Sequence, residues 1–204
     1  MKKFSTKVLI VMALGVILNI VLALVSKTIG FNLLFLDTVG TIFVAAFFGP
    51  LAGVITGVVT NLVNGVISGP TEIPFLLVNG AIGLIVGLIA KYKKDYNIII
   101  ALVVGLILSV VAPLIGTPIA LFLFGGLTGS GMDFVIIWLK STGQNLFSAV
   151  FMGKIVNNLV DKFVSSLIVF ALFQLLPLSI VKDSILEKLI AKKEAKEALA
   201  SKES

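Results

Sequence analysis

The chain contains neither cysteine nor histidine, and all 16 of its basic residues are lysine. Each absence removes a class of chemistry. Without thiols there are no disulfides, no thiolate nucleophile and no cysteine metal site, and cysteine usage says nothing about compartment. Without imidazole the commonest metal ligand, the usual general base near neutral pH and haem ligation are missing. Neither a resident metal nor a cofactor is expected. The net charge of +6 resides in lysines at the ends of apolar runs and in the tail, a placement that suits topology signals and argues against nucleic acid as a partner. No G-x-x-x-x-G-K-[ST] motif occurs, so nothing recognisable cradles nucleotide phosphates and any ATP-driven step must come from another subunit. Its serines and lysines form no recognisable catalytic dyad, which places an enzyme last among the readings.

Charge is scarce overall, at 13% of residues against 58% hydrophobic. Mean hydropathy is +1.17, more apolar surface than a soluble core of 204 residues can bury, and the chain is read as an all-α integral membrane protein. The first apolar run, from Lys7 to Lys27, is longer than a signal-peptide core and lacks an A-x-A site followed by polar sequence, so it is expected to be the first transmembrane helix.

Apolar runs bounded by Gly, Pro or charge predict about six spans, near residues 7–28, 37–48, 51–67, 74–90, 97–113 or beyond, and 155–176. Most reach the roughly 17–25 residues a crossing requires. The second is short and ends at Gly49-Pro50; it tilts little, borrows residues 33–36, or stops within protein rather than lipid. Between Val111 and Lys154 stand Pro113, Gly116, Pro118 and the glycine-rich turn at 125–131. This stretch is read as a long, proline-bent fifth helix followed by an outer re-entrant or surface-lying segment, with the glycines serving as a hinge or a plain connector. Residues 1–181 thus form a transmembrane substrate-binding domain. Residues 182–204 form a charged cytoplasmic tail in which six lysines alternate with five acids, suited to a solvated or membrane-surface helix or to a frayed end.

Lys2, Lys3 and Lys7 precede the first span, Lys91, Lys93 and Lys94 follow the fourth, and Lys182 onward follows the last. An even number of crossings puts all three clusters, and both termini, in the cytoplasm.

Within these apolar helices, nine polar residues fall in the half nearest the non-cytoplasmic side: Asp37, Thr38, Asn61, Asn64, Asn79, Asn157, Asn158, Asp161 and Lys162. An unpartnered polar group in hydrocarbon costs about 2–7 kcal/mol on transfer scales, so their gathering at one level implies a shared pocket open to the outside. Asn61 and Asn64 share a helix face, either lining that pocket or bonding neighbouring helices. Adjacent side chains on a helix diverge by about 100°. Asp161 and Lys162 are therefore expected to serve different partners, one facing the pocket or snorkelling, unless they pair with another helix. Glu72 in Ser68-Gly69-Pro70-Thr71-Glu72-Ile73-Pro74 sits in a proline-stiffened loop suited to a lid, and Asp133 joins Asp37 and Glu72 among the outer acids. Carboxamides with a few opposed charges suit a heteroaromatic or amide-rich small molecule. The opposite halves carry small residues, Gly53-x-x-x-Gly57, Gly83-x-x-x-Gly87, Gly49 and Gly15 beside Ala13, which let helices approach closely, within the chain or from a partner.

Three motifs carry a family resemblance. Phe35-Leu36-Asp37-Thr38-Val39-Gly40-Thr41-Ile42 runs into Phe48-Gly49-Pro50-Leu51-Ala52-Gly53, Gly125-Gly126-Leu127-Thr128-Gly129-Ser130-Gly131-Met132-Asp133 follows, and Asn158-Leu159-Val160-Asp161-Lys162 lies in the last helix. Together with the six-helix layout they make the chain resemble the substrate-binding S component of an energy-coupling factor (ECF) vitamin transporter. The resemblance implies high-affinity capture of a micronutrient under outer loops, docking on a transmembrane T component with two ATP-binding subunits, and toppling of the S component in the lipid bilayer of a bacterial plasma membrane. The candidate substrate-binding residues, from the one-sided polarity and the outer acids, are Asp37, Thr38, Asn61, Asn64, Glu72, Asn79, Asp133, Asn158, Asp161 and Lys162. Partner docking would use Ala13, Gly15, Gly49, Gly53 and Gly57. The Ala-x-x-x-Ala that many S components carry on the first helix is absent, Ala13 being followed four residues later by Ile17. Two rivals remain: a stand-alone secondary transporter, which would need an ion path through inner halves that hold no ionisable residue, and a membrane scaffold, which gives no reason for one-sided polarity.

The topology is open to direct measurement. A reporter fused after residue 176 should read cytoplasmic; an outside reading would make 132–153 a full crossing.

Overall fold

The computed structural model describes residues 4–29, 34–93, 96–129 and 132–175. The tail at 182–204 and the topological lysines Lys2, Lys3, Lys94 and Lys182 lie outside the described residues. Among the described residues, five helices are long and apolar enough to cross a membrane: α1 (Thr6–Ile29), α3 (Pro50–Ile67), α4 (Leu76–Lys93), α5 (Ile98–Phe124) and α7 (Leu146–Leu175). Two shorter helices accompany them, α2 (Val39–Phe48) and α6 (Asp133–Ser141), with a 3-10 turn at Pro70–Phe75 between α3 and α4.

The ten residues of α2 rise about 15 Å, half a bilayer core. The preceding segment, 34–38, is irregular and ends in a turn at 37–38. It is tolerated beside the helices because it is partly buried in protein and its amides at Phe35 and Leu36 find a partner in Asp161. Proline does not end α5, which runs through Pro113 and Pro118 for 27 residues to an αL cap at Gly125. The last helix begins at Leu146 and not near 155. Gly153, within this helix, is a contact point, where a Cβ would stand 2.6 Å from Ile136 of α6. The nine residues of α6 are too few to cross. They pack on the first turns of α7 through Ile136, Ala149 and Val150.

Small residues set the helix spacing. A Cβ on Gly40 would collide with the backbone carbonyl of Gly15, joining α2 to α1, and one on Gly83 would strike the backbone at Gly53, joining α4 to α3. A Cβ on Gly57 would meet the Asn79 side-chain oxygen at 2.9 Å. Gly15, Gly49, Gly53 and Gly57, expected at the docking face, are buried and pack against the chain's own helices. Ala13 alone of that group is exposed.

Behind the glycines, Asn19 ties three helices together. Its Nδ2 donates to Thr41 Oγ1 (2.9 Å) and Thr60 Oγ1 (3.0 Å), and its Oδ1 accepts from Gly40 N (2.7 Å). Gly40 N is one of the donors left without an intrahelical partner at the start of α2, so this carboxamide both caps α2 and holds it to α1 and α3. At the opposite end of the bundle an aromatic cluster closes the core, with Phe173 stacked on Phe47 (ring centroids 3.9 Å) and on Tyr96 (5.1 Å). The Tyr96 hydroxyl lies 2.5 Å from Ser166 Oγ, which donates to Ala101 O (2.8 Å) and fastens α7 to α5. Burial pushes the Tyr96 phenol well above its ordinary pKa, which keeps it neutral in this contact.

The glycine contacts make a paired prediction. Gly83→Ala should lower the melting temperature of the detergent-purified protein by several degrees, in keeping with the ~1–3 kcal/mol cost of overpacking. Gly80→Ala, whose Cβ would meet Val58 at an ordinary 3.4 Å, should leave it unchanged or slightly raised. Equal effects of the two would contradict this account of α3–α4 packing.

Candidate functional site

A cavity of about 270 Å³ opens between the ends of α1, α3, α4, α5 and α7, roofed by the 34–38 segment and the 3-10 turn. Its size lies near the lower end of small-molecule sites, about 300–1,000 Å³. One wall is carboxamide. Asn79 Nδ2 donates to Asn61 Oδ1 (3.0 Å), and Asn61 Nδ2 donates to Glu72 O (3.2 Å), so α3, α4 and the 3-10 turn are linked at the cavity edge. Asn64 lies one turn further along α3 and also faces the cavity.

The facing wall belongs to α7. Lys154, Asn158 and Lys162 recur every four residues and all line the cavity, as i, i+4, i+8 positions on one helical face must. Lys162 is 3% exposed, and its stem folds back so that Nζ reaches Asp161 Oδ2 at 2.6 Å, Thr38 Oγ1 at 3.1 Å and Asp37 Oδ1 at 3.5 Å. Asp161, fully buried, accepts on its other oxygen from the backbone amides of Phe35 and Leu36, each at 2.8 Å. Leu36 holds φ 54, a conformation that non-glycine residues seldom adopt; the two amide bonds fix it. Asp161 therefore binds the roof, and Lys162 binds Asp161 to the start of α2.

Two expectations change here. Asp161 and Lys162 were expected to face different partners, yet they meet each other, because a four-carbon stem spans the angular gap between adjacent helix positions. As candidate ligand contacts, Asp161 and Asp133 both lie behind the cavity lining. Asp133 Oδ2 accepts from Gly129 N (2.7 Å) and Oδ1 from Thr128 N (3.4 Å), so it shapes the glycine turn. The other candidates, Asp37, Thr38, Asn61, Asn64, Glu72, Asn79, Asn158 and Lys162, all line the cavity. Asn157, part of the polar group in the sequence, does not line it; it is buried with Oδ1 unpartnered.

Several lining residues escaped the sequence reading. Lys154 was hidden because the last span was taken to begin just after it; extending the i, i+4 stripe backward from Lys162 and Asn158 would have found it. Lys27, at the end of α1, pairs with Glu72 across the mouth at 3.6 Å. Phe75 and Phe124 stack at 6.5 Å with an 18° tilt and, with Phe35, add aromatic surface to the lining. Nothing in a uniformly apolar sequence distinguishes these rings from lipid-facing ones.

A small cavity with carboxamides on one wall, ammonium groups on the other and aromatic rings in its lining is suited to holding a polar, ring-containing molecule. No curated protein and no solved structure matches the chain. The family model for the ECF transporter, substrate-specific component, matches residues 7–173, which takes in every helix that bounds the cavity. The chain belongs to this family: it is a substrate-specific membrane component of ECF transporters, a transport subunit and not an enzyme.

Proposed function

We propose that this chain captures a vitamin or related micronutrient with high affinity at the outer face of a bacterial plasma membrane, and delivers it through a T component driven by two ATP-binding subunits. The observation that carries the reading is the one-sidedness of the bundle. Asn61, Asn64, Asn79, Asn158 and Lys162 converge on one cavity, while the other end of the bundle is closed by Phe47, Phe173 and Tyr96.

A cavity open at one end and sealed by packed aromatic rings at the other supports binding and gives no path through. The polar end is the outer one in this reading, with both termini cytoplasmic, as the lysine clusters require. Release to the cytoplasm then needs movement of the whole body or of the roof, and that work falls to the ATPase partners. Ala13, on the exposed face of α1, stays available for docking; the buried glycines do not.

Binding and transport should therefore separate. Liposomes carrying this chain alone, supplied with growth-medium metabolites and a proton or sodium gradient, should hold no more than about one molecule per chain by mass spectrometry. Adding the T component and ATPases with ATP should give accumulation in the lumen. Concentrative uptake by the chain alone, driven by the ion gradient, would replace this reading with a secondary transporter.

A further inference from the structure

Charge around the cavity is unevenly matched. Lys162 has two carboxylates, Asp161 at 2.6 Å and Asp37 at 3.5 Å, and Lys27 has Glu72 at 3.6 Å. Lys154 makes no ion pair within 4.0 Å among the described residues. Its one hydrogen bond is to the neutral Thr128 Oγ1 at 3.5 Å, and Asp133, its oxygens turned to the glycine-loop amides, attracts it only at longer range. A half-buried ammonium so placed favours an anionic neighbour, because burying an unpaired charge is costly.

At the other end of the stripe the need is opposite. Asp37 lines the cavity with its side chain 38% exposed, and Lys162 meets it only at 3.5 Å. Its Oδ1 is buried on the Lys162 side, and that lysine is held closer by Asp161 at 2.6 Å. Lys162 lies eight residues beyond Lys154, about 12 Å of helical rise. Between them the wall carries Asn158 and faces the stacked Phe75 and Phe124 rings.

We propose that the ligand of this cavity is a compact planar monocarboxylic acid that lies along α7. Its carboxylate sits on Lys154, its ring against Phe75 and Phe124, and an N–H donor edge meets Asp37. One carboxylate neutralises one lysine, whereas a phosphate monoester, at about −1.5 to −2 charge near neutral pH, brings more negative charge than Lys154 can balance. The inference rests on the cavity being the substrate site, and it narrows that site to an anionic heterocycle with donors at the far end.

The test uses the full chain and the sub-kilodalton fraction of yeast extract, split on an anion exchanger at pH 8 into bound and flow-through pools. The bound pool should raise the melting temperature of the purified protein, and the effect should survive alkaline phosphatase, which destroys phosphate monoesters and spares carboxylates. Lys154→Gln should weaken retention of the active component tenfold or more, Lys154→Arg should restore most of it, and Asp37→Asn should weaken it at an unchanged anion requirement. Stabilisation by the flow-through pool alone would overturn the inference and leave the cavity as the substrate site; stabilisation by neither pool would remove both. Loss of the effect on phosphatase treatment, or full retention by Lys154→Gln, would likewise overturn it. Melting curves without ligand show which variants fold, and Lys154→Arg keeps the question open to decision if Lys154→Gln does not.

Discussion

The fixed point of the cavity is Lys162. It is an ammonium group 3% exposed within an apolar bundle, and its position is tolerable only because Asp161, Asp37 and Thr38 surround it. Removing one partner of such a buried pair typically costs about 3–5 kcal/mol, since the remaining charge is left uncompensated. What matters here is less the energy of the pair than what it holds. Asp161 is bonded through its second oxygen to the amides of Phe35 and Leu36, so the same cluster that neutralises the lysine fixes the roof and sets the entry of α2. Site and fold are one network at this point.

Around that network the bundle divides its labour along its length. Near one end, carboxamides and ammonium groups do what water would otherwise do for each other and for a bound molecule. Toward the other, glycine contacts and stacked rings remove any gap. Asn19 joins the two regimes, taking the free amide of Gly40 and two threonine hydroxyls at the level where α1 and α2 come closest. An exterior of leucine, isoleucine and valine on α1, such as Leu14 and Ile17, matches the hydrocarbon it meets and places no demand on specific partners.

Class and family were legible in the sequence because they depend on quantities a sequence carries openly: long apolar runs, polar interruptions at one level, and motifs around Asp37, Gly125 and Asp161. The short second helix was legible too, through Gly49-Pro50. What was hidden depends on direction. Asp161 and Asp133 look like ligands by type, and only the backbone amides they accept from reveal them as supports. The glycines invite a partner on paper and are filled by the chain's own backbone in space. Lys154 vanished behind a helix boundary drawn nine residues too late, because the moderately apolar turns at 146–153 pack on α6 and so need not be as hydrophobic as a lipid-facing span. The lining phenylalanines carried no signal, since burial against a cavity and exposure to lipid favour the same side chain.

The central claim is that the Asp161–Lys162 cluster organises a ligand cavity and is not a structural salt bridge alone. Native mass spectrometry of the protein released gently from membranes tests it most directly, comparing the wild type with Asp161→Asn under conditions where both keep their helical content. The account predicts one small-molecule adduct per wild-type chain and its loss from the variant, whose amide cannot both neutralise Lys162 and accept from the two roof amides. An adduct retained equally by Asp161→Asn, or none on the wild type, would contradict it.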